Sequence, residues 1–287
     1  MRAVAVVTDS THYTPSALVA AAGVHEVSLY VKDGGETRRE SEITDYDGFY
    51  ATLREGRELP TTSQPSIGDF LAVYEPLADA GNDIVSIHLA GGISGTVGAA
   101  RQAKTLLEER GTQARIEVID AETACGGLGC VVMAAAASAR AGGDIDAVAA
   151  RAHEARAALS IWFCIDTLEY LQRGGRVGRA QAWLGGALKI KPILSLEAEI
   201  TPVERVRTSG RAFERMVDYL RMRRDDGADG WVIQHIQSPQ RADELVERGR
   251  ELFGSEPRWV SEVGPVIGTY TGPGLLGVGG IPARLLD

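Results

Sequence analysis

The run GGISGT, residues 91–96, combines the residue types that bind anions. It follows an apolar, β-branched run, DIVSIHL at 83–89, and precedes apolar residues at helical spacing from Val97 to Leu107. This pattern predicts a buried strand, a turn and a helix. The first N–H groups of a helix have no partner within it, and the helix dipole favours negative charge there. The sequence therefore predicts an anion-binding turn, with Ser94 and Gly95 at the start of the helix.

Two other interpretations of Ser94 are open on the sequence alone. Its hydroxyl can simply cap the helix that follows, which is a common structural use of serine. It can also be a nucleophile that acts on an acyl or phosphoryl substrate, with His88 or Tyr270 nearby. The run lacks the GxSxG pattern of a nucleophile elbow, and spacing alone assigns no histidine partner.

Two further stretches carry groups that could contact an anion. Residues 59–65, LPTTSQP, place two threonines and a serine between prolines that keep the backbone extended. Their hydroxyls can bind the oxygens of a ligand or satisfy their own loop. Residues 173–179, RGGRVGR, form a basic, glycine-rich loop. Its arginines can bind a phosphate bidentately or form a solvated surface.

The composition is that of an ordinary globular protein, with 287 residues, 44% hydrophobic and 24% charged. The formal net charge of -9 argues against a broad surface for nucleic acid or anionic membrane. The first apolar run is too short for a signal sequence, so we expect a cytoplasmic protein. Cys125, Cys130 and Cys164 lack the CxxC spacing of a zinc site, and we expect reduced core residues.

Strands that alternate with helices predict a mostly parallel α/β sheet in the first half of the chain. We place an N-terminal α/β domain at residues 1–155 and a C-terminal α/β domain at residues 156–287. The closing run, GPVIGTYTGPG at 264–274, is too rich in turn residues for a regular helix. No Walker A run or HExxH motif is present, so the sequence gives autonomous catalysis little support.

Several motifs, taken in order, resemble one known family. These are TDST at 8–11, TSQPS at 62–66, SGT at 94–96, LEYLQRGGRVG at 168–178, KPIL at 191–194 and GPVIGTYTGPG at 264–274. Together they resemble the DegV family, the bacterial fatty-acid-binding proteins that include the FakB subunit of fatty acid kinase. Each motif alone is weak, but their ordered combination from residue 4 to about residue 277 is specific.

The resemblance implies a two-domain, non-catalytic α/β protein that holds one long-chain fatty acid and needs no cofactor. It implies that Thr62 and Ser94 bind the carboxylate at the domain cleft. Family members commonly have a histidine where this sequence has Tyr270, and a phenol brings no positive charge. Arg176 resembles the arginine used when a dihydroxyacetone-kinase-like partner phosphorylates the bound carboxylate.

The resemblance also implies a tunnel for the acyl chain in the C-terminal domain. Candidates for its lining are Ile161, Phe163, Ile165, Leu168 and Ile193, although each is equally suited to an ordinary core. Two alternatives to a fatty-acid carrier remain. One is a binder of another amphiphile, favoured by Tyr270, and the other is the serine-dependent acyl or phosphoryl enzyme described above.

Overall fold

The computed structural model describes residues 2–56, 59–184 and 190–287, which form the expected mixed α/β fold. The strands are β1 (Val4–Asp9), β2 (His25–Val27), β3 (Tyr30–Asp33), β4 (Glu36–Arg39), β5 (Thr61–Ser63), β6 (Asp83–His88), β7 (Ile116–Asp120), β8 (Ser160–Cys164), β9 (Lys191–Glu197), β10 (Glu199–Val206), β11 (Gly230–His235), β12 (Trp259–Glu262) and β13 (Leu276–Ile281). The α-helices are α1 (Ser16–Ala22), α2 (Tyr46–Glu55), α3 (Ile67–Asp79), α4 (Thr96–Glu109), α5 (Cys125–Arg140), α6 (Ile145–Ala158), α7 (Glu169–Arg173), α8 (Ser209–Asp225), α9 (Pro239–Phe253) and α10 (Pro265–Thr271). Within these ranges, no helix has both the length and the apolar character needed to cross a membrane.

The first large sheet is parallel, with the strand order β2–β1–β6–β7. Its two central strands, β1 and β6, are buried on both faces. On β1, Val7 packs in the core cluster of α3 and α4, whereas Val6 packs in the cluster that contains residues of α5 and α6. This double cover explains why β6 is buried at every position, since a parallel strand between two helical layers meets apolar surface on both sides. A separate antiparallel sheet, β4–β3–β5, places Thr62 opposite Val31.

The second large sheet has six strands in the order β10–β9–β8–β13–β11–β12. Only the β11–β12 pair is parallel, and β13 lies antiparallel between β8 and β11. Helices α8 and α9 cover one face with side chains such as Met216 and Leu245. Helix α5 contacts β1 and β6 of the parallel sheet and also β11 and β13. It therefore lies between the two large sheets.

The strands of the parallel sheet come from residues 4–120, and those of the six-stranded sheet come from residues 160–281. One core cluster nevertheless contains both Val85 of the first sheet and Phe163 of the second. The division into domains at residue 155 therefore stays a prediction.

The buried carboxylate of Asp9 joins the carboxyl ends of β1 and β6. Its Oδ2 accepts the backbone N–H of Leu89 at 2.9 Å and lies 3.1 Å from His88 Nδ1. Its Oδ1 accepts the N–H and the hydroxyl of Thr11, at 3.1 and 2.6 Å. Burial by itself would raise the pKa of Asp9, but His88, Thr11 and the Leu89 N–H hold the pKa below its ordinary value. The charged carboxylate thus fixes the strand end that leads into residues 91–96.

The prediction that the closing run is too turn-rich for a helix is wrong, because its first half forms α10. Pro265 opens this helix, where its missing N–H costs nothing. Gly272, with a φ of 72°, ends it in a conformation that favours glycine. The first N–H groups of α10 are bonded by residues distant in sequence, which a local pattern does not reveal.

Glu40 is the main residue that holds the start of α10. Its Oε1 accepts the N–H of Val266 at 2.8 Å and the hydroxyl of Tyr13 at 2.7 Å. Its Oε2 accepts the hydroxyl of Ser10 at 2.5 Å. The Tyr13 oxygen in turn accepts the N–H of Ile267 at 3.2 Å. Burial raises the pKa of Glu40 to about 7, although these hydrogen bonds act in the opposite direction.

We expect Asp9→Asn to lower the free energy of unfolding by about 2–4 kcal/mol, because the amide removes the charge from a fully buried, hydrogen-bonded group. Urea denaturation at neutral pH measures this loss. The control is Asp146→Asn, which removes an exposed carboxylate paired with Arg115. Equal losses in the two variants would contradict the role given to Asp9.

We expect Glu40 to make the protein less stable as the pH rises. The pKa in the folded state is about 7 and the ordinary value is 4.5, so the folded state binds the extra proton between these values. The stability that Glu40 contributes is therefore complete below about pH 4.5 and is lost as the pH rises to about 7, a change of at most about 3 kcal/mol. Denaturation of the wild type and of Glu40→Gln across this range measures it. A difference between the two proteins that does not vary with pH would contradict the raised pKa.

Candidate functional site

A cavity of about 420 Å³ lies against the six-stranded sheet. Its wall is formed by the segments 62–64 and 93–95, the first turn of α5, helix α10, and strands β8, β9, β10, β11 and β13. Its volume is within the range of small-molecule sites, and most of its side chains are apolar. Such a cavity suits a ligand with a long apolar part.

The structure brings the residues predicted for the polar end together at this cavity. Thr62, Ser94, Gly95, Arg176 and Tyr270 all line it. The Thr62 Oγ1 and the Tyr270 hydroxyl oxygen are 2.7 Å apart, although 208 positions separate the two residues. One hydroxyl proton bridges this pair, which leaves the other proton able to bind a ligand oxygen.

Ser94 lies just before α4, not within its first turn as the spacing suggested. Helix α4 begins at Thr96, and Gly95 is its N-cap residue, with no side chain to cap it. The Ser94 Oγ is 2.8 Å from Thr96 Oγ1 and accepts the Thr96 N–H at 3.3 Å. A Cβ on Gly95 would overlap the Gln64 amide, so the glycine lets this side chain lie directly against the turn before α4. The serine that accepts the Thr96 N–H thus also lines the cavity.

Arg176 covers the polar end of the cavity. Its guanidinium lies 5.0 Å from the centre of the Tyr270 ring, a cation–π geometry. Its Nη1 donates to Gly174 O at 2.9 Å and its Nε donates to Ile93 O at 3.5 Å. Within the described part of the chain it has no carboxylate within 4.0 Å, whereas Arg179 on the same loop pairs with a glutamate. Arg176 is therefore the loop arginine whose charge is available at the cavity.

The geometry of a serine nucleophile is not formed among the residues that the structure describes. His88 is fully buried, and its Nε2 lies 2.6 Å from Ser86 Oγ while its Nδ1 faces Asp9. The Ser94 hydroxyl contacts Thr96 and not an imidazole. The structure thus provides Ser94 with hydrogen-bonding partners but with no adjacent base.

The apolar wall matches the sequence-based candidates only in part. Ile161 and Phe163 line the cavity, but Ile165, Leu168 and Ile193 do not. Ile193 pairs with Cys164, and both belong to the core on the other face of the sheet, against α8 and α9. A one-residue step along a strand reverses the direction of the side chain, which is why Ile193 is excluded.

Ile165 and Leu168 are excluded for a different reason. Both follow the end of β8 and are buried in the core, with 2% and 7% of their surface exposed. The apolar run was correctly identified as buried, but its composition does not distinguish cavity wall from solid core.

Sequence reasoning missed Gln234, which lines the cavity from β11. Its Nε2 donates to Ser261 Oγ at 2.9 Å and to the carbonyl oxygens of His12 and Tyr13, both at 3.3 Å, and its Oε1 accepts the N–H of Gly126. These bonds join β11 to α5 and to the turn after β1. A glutamine within the otherwise apolar strand GWVIQH was the available signal.

The described cysteines offer no metal site or reactive thiol. Cys125 lines the cavity, and burial raises the pKa of its thiol well above the ordinary value, so the thiol stays protonated at neutral pH. Cys130 and Cys164 are buried and free. No group of three or more metal-ligating side chains occurs in the described ranges.

Comparisons with known proteins agree with this architecture. The family model described as "Uncharacterised protein, DegV family" matches residues 3–283. A DegV domain-containing protein of Streptomyces coelicolor is 39% identical over 280 residues, which are 96% of this chain and 98% of the relative. Protein DegV of Bacillus subtilis is 34% identical over 283 residues, with 96% and 98% covered.

Solved structures extend the similarity to the fold. The crystal structure of DegV from Bacillus subtilis, described as a fatty acid binding protein, has a TM-score of 0.88 and 32% identity, and covers 98% of this chain and 100% of that chain. A Thermus thermophilus DegV family structure, described by its fatty acid binding, has the same TM-score and identity, with 98% and 99% covered. Since sequence and fold agree over nearly the whole length, the chain belongs to the DegV family.

Proposed function

We propose that this protein binds one long-chain fatty acid, buries its acyl chain in the cavity and holds its carboxylate at the end formed by Thr62, Ser94, Gly95, Tyr270 and Arg176. The observation that carries the proposal is the distribution of polarity, because the hydroxyl pair and the Arg176 guanidinium lie together at one end of a largely apolar cavity. The similar structures from Bacillus subtilis and Thermus thermophilus, both of fatty-acid-binding proteins, support it.

The two parts of such a ligand contribute differently to binding. Each buried methylene is worth about 0.8 kcal/mol, so about fifteen methylenes supply about 12 kcal/mol before ordering costs. A carboxylate buried without partners loses several kcal/mol and therefore needs hydrogen-bond donors. The acyl chain thus supplies affinity, and the polar residues supply orientation.

Tyr270 shapes the polar end in a way that a histidine does not. Its hydroxyl is held by Thr62 and adds a donor without a charge. The positive charge at this end comes from Arg176, which lies over the Tyr270 ring and is exposed. This neutral pair favours, as a second candidate, an amphiphile with an uncharged hydrogen-bonding head group.

We further propose that the carboxylate is presented to a dihydroxyacetone-kinase-like partner. In that reaction a carboxylate oxygen attacks the γ-phosphorus of ATP, the bond to ADP breaks, and an acyl phosphate forms. The exposed position of Arg176 at the cavity mouth supports this role, since a guanidinium can hold the transferred phosphoryl group with two hydrogen bonds.

We expect Thr62→Ala combined with Ser94→Ala to weaken binding of stearate by about 100-fold, because two hydrogen bonds to a charged group are lost. Competition against a fluorescent fatty acid measures the affinity, and native mass spectrometry gives the ligand count. Thr105→Ala, an exposed hydroxyl on α4, is the control. Unchanged affinity in the double variant would contradict the carboxylate site. Tighter binding of an uncharged fatty amide than of stearate by the wild type would favour the second candidate.

We expect Arg176→Ala to reduce acyl-phosphate formation by about 100-fold or more with only a small loss of fatty-acid affinity, because exposed charges bind weakly in the ground state. The assay combines the loaded protein, ATP and a dihydroxyacetone-kinase-like subunit. Arg173→Ala, on the same loop but paired with Glu169, is the matched control. Equal rates of acyl-phosphate formation in the two variants would contradict the proposed role of Arg176 in phosphoryl transfer.

A further inference from the structure

The six-stranded sheet presents different residue types on its two faces. Val278 of β13 and Ile233 of β11 belong to the core against α8 and α9. The alternate positions face α5, because side chains alternate along a strand. On the flanking strands these positions hold large side chains, such as Ile161 of β8 and Val232 of β11.

Opposite these side chains, the central strand β13 has glycine, and its next inward-facing residue is Ile281. Gly277 pairs with Phe163 on one side and with Gln234 on the other, and Gly279 occupies the next inward-facing position. Both glycines line the cavity. Two bare positions on this face, between strands that carry side chains, form a trough, and the backbone of β13 at residues 277–279 is its floor.

Two more glycines form the roof of this trough. Gly126 and Gly127 open α5, and both line the cavity. A Cβ on Gly126 would lie 3.0 Å from Val232 Cγ2, and one on Gly127 would lie 3.2 Å from Ile161 Cγ2. The helix and the sheet therefore approach closely. The space that remains between Gly126 and Gly127 on the helix and Gly277 and Gly279 on the sheet is called the glycine passage, and it exists because these residues have no side chains.

The passage lies far from the polar end. Gly178, two positions after Arg176, packs on the edge strand β10, since its Cβ would lie 2.5 Å from Ile200 O. In the sheet order, β13 and β11 are three and four strands from β10. With about 4.8 Å between neighbouring strands, this separation is about 14–19 Å.

We infer that the glycine passage receives the methyl end of the acyl chain, and that Gly277 sets the length of chain that the protein accepts. This inference rests on the proposed function. A single unbranched polymethylene chain fits a trough whose floor is bare backbone, and any side chain on that floor shortens the cavity from its far end.

The test is Gly277→Ala. A Cβ at this position would meet Phe163 Cβ at 3.5 Å, Leu275 Cδ2 at 3.7 Å and Gln234 O at 3.8 Å, which are ordinary contacts, so the variant should fold. Gly279 is unsuitable because its Cβ would lie 2.7 Å from Ile161 Cγ2. Affinities for stearate and decanoate are measured for wild type and variant, with thermal unfolding as the check on folding.

We expect stearate to bind Gly277→Ala at least about tenfold more weakly, since each methylene kept out of the cavity costs about fourfold in affinity. Decanoate, which ends before the passage, should change by less than about twofold. Gly277→Val should weaken the binding of stearate further. Gly210→Ala, an exposed glycine of α8 with no atom within 4 Å of its Cβ, should leave both affinities unchanged.

Two other outcomes overturn the inference and are distinguishable. An equal loss of affinity for both acids, or no loss for either, would show that Gly277 does not set the accepted chain length, while the proposed function stands. Failure of the wild type to bind either acid would overturn the proposed function and, with it, the role of Gly277. Thr62→Ala provides the reference for a head-group effect, because it should weaken both acids by the same factor.

Discussion

The placement of α5 between two sheets is the constraint on which the structure depends. A helix in that position has no solvent face, and its turns must approach strands on both sides. The sequence meets this requirement with glycine and alanine: a Cβ on Gly129 would lie 2.5 Å from Thr14 Oγ1 and 3.0 Å from Trp259 Cζ2. Glycine in a helix costs about 1 kcal/mol relative to alanine. Burial of α5 against both sheets offsets that cost, and its first turn is the part left facing the cavity.

Backbone strain accumulates around the same place. Glu122, Cys125 and Ala198 have positive φ values of 50°, 55° and 64°, which are unfavourable for residues with side chains. The N–H of Ala198 donates to Glu122 O at 2.8 Å, so a backbone hydrogen bond holds two of these residues together. A Cβ on Gly92 would lie 2.3 Å from Ala198 O. Strained residues of this kind persist where surrounding contacts determine them fully, and they concentrate at ligand sites.

The parts of this protein that the sequence predicted are those that depend on neighbours along the chain. The strand, turn and helix around Ser94 follow from local spacing, and the capping box of Ser66 and Asp69 at the start of α3 is a local pattern of the same kind. Helix α10 was missed because its N–H groups are satisfied by Glu40 and Tyr13, far away in sequence. The contact of Thr62 with Tyr270 carried no local signal at all. Motif order identified both residues, but their hydrogen bond follows only from the fold.

The position of β13 also constrains how the chain assembles. This strand is the last in sequence, yet it lies inside its sheet and joins β8 to β11. During synthesis, β8 and β11 therefore have no shared neighbour until residues 276–281 have left the ribosome. Contacts of such long sequence separation form slowly and leave apolar strand edges exposed in the meantime. The cavity, whose wall includes β13, is consequently complete only after this strand has paired.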